Sequence, residues 1–262
     1  MQLDPIAAAA GVKLMAHDTI GSTSTEAMAQ ARRGERGPLW ITATRQTAGR
    51  GRRGNVWVSE PGNVYASLLL TDVMAARAGE LSFVAALAVH DAVAELVPNL
   101  ASHLALKWPN DLLLDGRKFA GILIGAESTA AVVGIGVNCA HHPAETSYPS
   151  TDLAAAGAVV APEQLFRCVS KTFVARLEQW SRGAGFASIR ADWLARATGL
   201  GQEIRVRLPS KEIAGRFQAL DETGRLLLRL PDGRVESISA GEVFAIHDNY
   251  APLEGAGFRT MR

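Results

Sequence analysis

The sequence predicts an α+β fold: a mixed β-sheet flanked by helices, followed by a small antiparallel β module. Two patterns predict it. Up to about residue 200, short runs rich in Ile, Leu and Val alternate with longer segments whose apolar residues recur at helical spacing. From Gly201 the period changes to two, with turn residues between the runs. In order, Val12 to Ala16 reads as a first strand, and the polar stretch from Asp18 to Ser24 offers caps for a helix reaching Arg33, which Gly34 and Gly37-Pro38 stop. Leu39 to Thr44 and Val64 to Thr71 read as strands around a glycine- and arginine-rich loop. Glu80 to Val97 is a long packed helix ended by Pro98-Asn99. Ala105 to Trp108, Phe119 to Gly125 and Ala131 to Asn138 read as buried strands, and Asp115-Gly116-Arg117 as the hairpin turn between the strand ending at Leu114 and the one that Lys118 begins. Two helices follow, Pro162 to Arg182 and Phe186 to Arg196; Cys168 and Trp180 fall at apolar spacing and are expected in the core. Four or five short strands from Ile204 to Ile238 then make a small barrel or sandwich, separated by Pro209-Ser210, Asp221 to Gly224 and Pro231-Asp232-Gly233. The expected organisation is a domain over 1–200, a β module over 201–247 and an aperiodic tail over 248–262.

Composition narrows the function. In 262 residues, 48% are apolar and 20% charged, as in ordinary soluble globular proteins. Lys and Arg number 27 against 26 Asp and Glu, so no global field exists to coat a polyanion. Two cysteines, Cys139 and Cys168, are too few for a disulfide framework and lack metal-ligand spacing. His141-His142 beside Cys139 reads as a strand-end loop for the same reason. The stretch from Met1 to Gly11 lacks a basic leader, and the longest apolar run, Leu81 to Val97, is broken by His90, Asp91 and Glu95. A cytoplasmic protein is expected, with no membrane partner.

The chemistry-bearing residues lie between the elements. Arg45, Arg50, Arg52 and Arg53 crowd a segment with no carboxylate before Glu60. Such a cluster is costly to hold without an anion. Gly49-Arg50-Gly51-Arg52-Arg53-Gly54 formally matches a dinucleotide fingerprint, but Val56-Trp57-Val58 and Pro61-Gly62 cannot open the helix that fingerprint needs. Two readings remain, a solvated surface loop and a phosphate cradle in which glycines admit backbone N–H groups and guanidinium forks grip oxygen. Lys107-Trp108-Pro109-Asn110-Asp111 ends a strand; Asn110 and Asp111 either form a simple turn or reach a metal-bridged phosphate. Lys118, before a run without charge, either snorkels to solvent or neutralises an anion in a cleft. Two glycines in Gly134-Ile135-Gly136-Val137-Asn138 suggest a ligand or another backbone pressing close. No nucleophile elbow or Cys-His arrangement supports covalent catalysis.

Taken in order, Ser22-Thr23, the stretch from Arg45 to Gly54, Lys107 to Asp111, Gly116 to Leu123 and Gly134 to Asn138 resemble the biotin protein ligases. The resemblance implies a class II synthetase-like catalytic domain with a small SH3-like C-terminal barrel. It implies ATP-dependent activation of biotin to biotinyl-AMP, then transfer to a lysine of a carboxylase's biotin carboxyl carrier domain. Magnesium is the associated ion. By resemblance, Lys118, Arg52 and Lys107 are the catalytic residues; Ser22, Thr23, Ser24, Gln46, Arg50, Gly51, Arg52, Lys118 and Gly121 bind biotin. Arg50, Arg52, Trp57, Lys107, Asn110, Asp111, Lys118 and Asn138 bind ATP, with Asn138 at the adenine, Trp57 covering the closed pocket and Asp111 meeting the metal through phosphates. Ser24 stands where the family commonly has Asn, a longer arm. Some relatives carry an N-terminal helix-turn-helix domain; about 20 residues precede Ser22, so DNA binding is not expected. Relatives dimerise through sheet edges, and the strands between Leu123 and Asn138 are the expected edge of a possible homodimer. Lipoate ligase, of the same superfamily, and a non-catalytic nucleic-acid-binding module are the alternatives.

Overall fold

A computed structural model describes residues 1–144, 146 and 148–245. The tail expected over 248–262 lies outside the described residues, as do the last two positions of the expected β module.

The chain opens with a helix that the sequence pattern did not announce, α1 (Pro5–Ala9), whose N-cap Asp4 accepts a hydrogen bond from Ile6 N–H at 2.9 Å. A seven-stranded sheet follows, built from β1 (Lys13–Ile20), β2 (Leu39–Gln46), β3 (Val64–Leu70), β4 (Leu104–Lys107), β5 (Asp111–Leu114), β6 (Arg117–Glu127) and β7 (Ala130–Val137). Its order is β1-β2-β3-β7-β6-β5-β4, with β1 and β2 parallel and every other pair antiparallel, a mixed sheet as expected. β1 runs four residues beyond the expected Ala16, because pairing with β2 continues through Ile20 opposite Gln46.

Alternation along the strands assigns each face its helices. On β2, Leu39 and Ile41 point to α2 (Thr23–Arg32) and pack with Ala27, while Trp40 points to the other side. There Trp40 meets Phe166 and Phe173 of α4 (Pro162–Trp180) edge-on, with ring centroids 5.5 and 5.4 Å away. α3 (Leu81–Leu96) and α5 (Phe186–Leu194) complete that layer. α3 is buried nearly all round, which explains its uniformly apolar sequence. Cys168 and Trp180 are in the core. The Asp115-Gly116 turn has both residues at positive φ, 49° and 73°, the geometry that matches the twist of a two-residue hairpin.

The second sheet has five antiparallel strands in the order β11-β10-β9-β8-β12. They are β8 (Glu203–Arg207), β9 (Glu212–Leu220), β10 (Leu226–Arg229), β11 (Val235–Ile238) and β12 (Glu242–Ala245). β12 has no counterpart among the expected strands; it folds back to pair with β8. One expectation needs correcting. β7 is paired along its whole length by β3 and β6, so it presents no edge. β6 outruns β5: pairing with β5 ends at Gly121, and from Leu123 to Glu127 the strand ladders recorded for β6 are with β7 alone.

Candidate active site

The cavity opens where the arginine loop, the N-terminus of α2, the ends of β4 to β7 and the second sheet meet. Ser22 caps α2, its hydroxyl accepting from Thr25 N–H, which sets Thr23 and Ser24 in the first turn facing the cavity. Gln46 ends β2 beside them and accepts from both the backbone and the hydroxyl of Thr23, at 2.9 and 3.0 Å. Thr23, Gln46 and Ser59 thereby form a connected polar floor, since Gln46 donates to Ser59 at 3.0 Å.

Arg50, Gly51, Arg52 and Trp57 line the cavity from the loop. A bridge between Arg50 and Val56 and the Gly51 N–H to Asn55 bond at 2.7 Å close the loop on itself. Arg52 reaches across and donates to Asn110 Oδ1 at 3.0 Å. Burial, and after it the neighbouring Arg53, pull the Arg52 guanidinium below its ordinary range, against the opposing pull of Asp111 and Glu242. The expected carboxylate-free cluster is relieved from outside its own segment: Arg45 pairs with Glu60 at 3.2 Å and Arg53 with Glu242 at 3.9 Å. Arg45 therefore sits on the surface and does not line the cavity.

Lys118 does not snorkel. Its side chain is only 13% exposed, its Nζ lies 2.6 Å from Asp111, and the rings of Trp57 and Tyr148 flank it with centroids at 5.6 and 4.8 Å. Asn110 is more than a turn residue, because besides receiving Arg52 it donates to the Ile122 carbonyl at 2.6 Å. Lys107 lines the same cavity, with its Nζ 5.4 Å from the Phe244 centroid. Gly121 and Gly136 form a slot for the Trp57 indole: a Cβ on Gly136 would meet ring atoms at 2.5 Å, and one on Gly121 at 3.2 Å. The backbone approach expected at the glycines of β7 is this indole.

Arg52 and Lys118, far apart in sequence, thus face one cavity, together with the other expected site residues save one. Asn138 is buried outside its walls, donating to the Thr151 carbonyl at 3.0 Å while its own carbonyl receives Leu153 N–H. It ties the segment after β7 to the sheet. Sequence reasoning missed Tyr148 and the trio Gly241, Glu242 and Val243, which also line the cavity. Tyr148 sits in an irregular stretch with no periodic signal, and the trio belongs to the unexpected β12 and the residue before it. Among the described lining residues, five cations (Arg50, Arg52, Arg53, Lys107, Lys118) face two carboxylates (Asp111, Glu242), a balance suited to a polyanionic ligand. No group of three or more His, Cys, Asp or Glu that could hold a metal occurs among the described residues, and no helix there is long and apolar enough to cross a membrane.

Comparison with known proteins gives the family. Residues 20–139 match the biotin/lipoate A/B protein ligase family and residues 199–245 the biotin protein ligase C terminal domain. A biotin--[acetyl-CoA-carboxylase] ligase of Paracoccus denitrificans is 42% identical over 235 residues, 85% of this chain and 96% of that protein. One of Mycobacterium tuberculosis is 36% identical over 233 residues, 85% of each. The structure of a biotin protein ligase from Aquifex aeolicus in complex with biotin and ATP superposes with a TM-score of 0.75 at 26% identity, covering 88% of this chain and 97% of that one. With the sequence motifs, both structural modules and full-length relatives in agreement, the chain belongs to the biotin protein ligase family.

Proposed function

We infer that the protein condenses the carboxylate of biotin with the α-phosphate of ATP, releasing pyrophosphate, and passes the biotinyl group from the adenylate to a lysine of a carboxylase's biotin carboxyl carrier domain. One observation carries this reading: Arg52, Lys107 and Lys118 converge from three separate segments on the same cavity that the hydroxyl and amide groups of Thr23, Ser24 and Gln46 line. A carboxylate attacking a triphosphate brings two anions together, and fixed cations lower that repulsion most as charge redistributes in the transition state. In this reading Lys118 touches both the biotin carboxylate and the α-phosphate, and Arg50, Gly51 and Arg52 close over the adenylate. Ser22, Thr23, Ser24 and Gln46 satisfy the ureido ring, whose buried polar edges need partners. Gly121 makes room for the Trp57 indole and the end of the Lys118 side chain, and Trp57 excludes water from a reactive acyl phosphate. Lys107 and Asn110 serve the phosphates. A magnesium ion fits here only through the nucleotide, since Asp111 is a single carboxylate already paired with Lys118; its donors would be phosphate oxygens with Asp111 and Asn110. Asn138 contributes by anchoring the segment that carries Tyr148, not by lining the cavity.

Incubation with ATP, biotin and an apo carrier domain tests the reading: ATP-dependent biotin transfer is expected, and its absence overturns the assignment. Lipoate has no ureido ring to satisfy the hydroxyl floor, so biotin and not lipoate should raise the melting temperature. The acceptor is a carboxylase carrier, as the names of the Paracoccus and Mycobacterium relatives suggest, and the reaction belongs in the cytoplasm, where two buried free thiols stay reduced. The open side of β6 from Leu123 to Glu127 is where a second copy would pair.

A further inference from the structure

We propose that Ser67, which does not reach the cavity, determines the specificity of the biotin site by forcing Ser24 to act as a hydrogen-bond acceptor; this rests on the biotin reading above. Ser67 is fully buried in the middle of β3, opposite Gly134 of β7. A Cβ on Gly134 would meet the Ser24 hydroxyl at 2.6 Å, so the bare glycine is what lets Ser24 reach Ser67. The Ser67 hydroxyl lies 2.8 Å from that of Thr23 and 2.9 Å from that of Ser24.

Each hydroxyl owns one hydrogen, and the surroundings fix where each goes. The Thr23 backbone N–H can only donate, so the Gln46 atom it meets at 2.9 Å is the amide oxygen, and the amide nitrogen faces Ser59. Ser59 in turn gives its hydrogen to the Trp57 carbonyl at 2.8 Å. The Gln46 oxygen carries no hydrogen, so the Thr23 hydroxyl, 3.0 Å away, donates to it. With its hydrogen spent, Thr23 receives from Ser67. Ser67, having given its own, receives from Ser24. The chain of donors therefore ends at the cavity with an oxygen that has lone pairs and no free hydrogen. A wall of that kind reads N–H groups, and a ureido ring carries two. An amide side chain at this position could have turned either its oxygen or its NH₂ to the ligand; Ser24 backed by Ser67 cannot.

The test compares dissociation constants, by calorimetry, for biotin and for the two cyclic carbamate analogues in which one ring N–H or the other is replaced by oxygen. The intact protein should bind the carbamate altered at the Ser24-facing nitrogen at least roughly tenfold more weakly than biotin, because two lone pairs then oppose one another. Ser67→Ala releases the Ser24 hydrogen, which can turn to meet the carbamate oxygen, so the ratio should fall to about threefold or less. Ser24→Ala should lower the same ratio, and adding Ser67→Ala to it should change the ratio no further. A Ser67→Ala protein that melts normally and keeps the intact protein's ratio overturns the proposal. If Ser67→Ala does not fold, an unchanged ratio in Ser24→Ala overturns it instead. Failure of the intact protein to bind biotin at all sinks the functional reading itself, a result distinct from either.

Discussion

Lys118 and Arg52 make the sharpest claims at the scale of single residues, because each is a cation largely withdrawn from solvent into the wall of the cavity. Lys118 is nearly buried against Asp111 and two aromatic rings, and Arg52 is held down by burial and by Arg53. Replacing either by Ala should lower the rate of adenylate formation by about 10²-fold or more, near 3 kcal/mol, as expected for a charge contact stronger in the transition state. Biotin-dependent exchange of pyrophosphate into ATP measures that step alone. Rates within threefold of the parent would remove the residue from the mechanism. Gly136 makes a steric prediction. Its substitution by Ala puts a methyl 2.5 Å from the Trp57 indole, which must leave its slot between Gly121 and Gly136. Gly136→Ala should therefore weaken ATP binding by roughly tenfold with little change in melting temperature, since the displaced group is a loop side chain rather than core. Unchanged affinity by calorimetry would mean that the slot plays no part in binding.

Elements were legible in the sequence wherever they are long or end on special residues. Ser22 as cap, Asp115-Gly116 as turn and the 3.6-residue period of α4 all act locally, so their patterns survive without the rest of the molecule. α1 was not legible, because five residues give little more than one helical turn, and β12 was not because no turn residues bound it at its far end; their stability comes from packing against α4 and pairing with β8. The helical layer is tied by a group that no periodicity marks. Arg176 of α4 meets Asp91 of α3 and Asp192 of α5, each at 2.6 Å, with its own side chain 14% exposed. Burial raises the Asp91 pKa, but hydrogen bonds from His90 and Arg176 outweigh it; hydrogen bonds from Gln179 and then Arg176 lower that of Asp192 despite burial. Arg176→Ala should cost about 3 kcal/mol, the low end for a broken buried pair because both carboxylates keep some exposure. Folded carboxylates with depressed pKa values stabilise above the unfolded value, 3.8 for aspartate, and lose that contribution as pH falls through the folded values. The gap in stability between parent and Arg176→Ala should then be full at pH 7 and shrink below about pH 3.8, as followed by denaturant unfolding at each pH. A gap independent of pH would assign the loss to packing alone.

At the scale of the molecule, the cavity is completed only because the second sheet docks on the first. Trp108 Nε1–H donates to the Gly224 carbonyl at 3.0 Å in a buried contact, and Arg52 reaches the Gly241 carbonyl at 3.4 Å. None of this is readable from period or spacing, since it joins residues more than a hundred positions apart that meet only once both sheets exist. Phe244 occupies the seam. It is buried, with the Lys107 Nζ 5.4 Å and the Arg207 guanidinium 4.6 Å from its ring centroid. The ring thus holds a lysine of the first sheet against the second, and cation–π attraction contributes about 0.5 to 2 kcal/mol per contact, more as the site is dry. Phe244→Leu keeps most of the apolar volume and removes the π face. Lys107 serves the phosphates in the reading above, whereas the ureido floor is built on separate elements, α2 and β2. The substitution should therefore raise KM for ATP by roughly two- to thirtyfold while leaving KM for biotin within twofold, and Phe244→Tyr, which keeps the ring, should restore the parent value. Equal rises for both substrates would indicate a general loosening of the seam. A parent-like KM for ATP would show that Lys107 holds its place without the Phe244 ring.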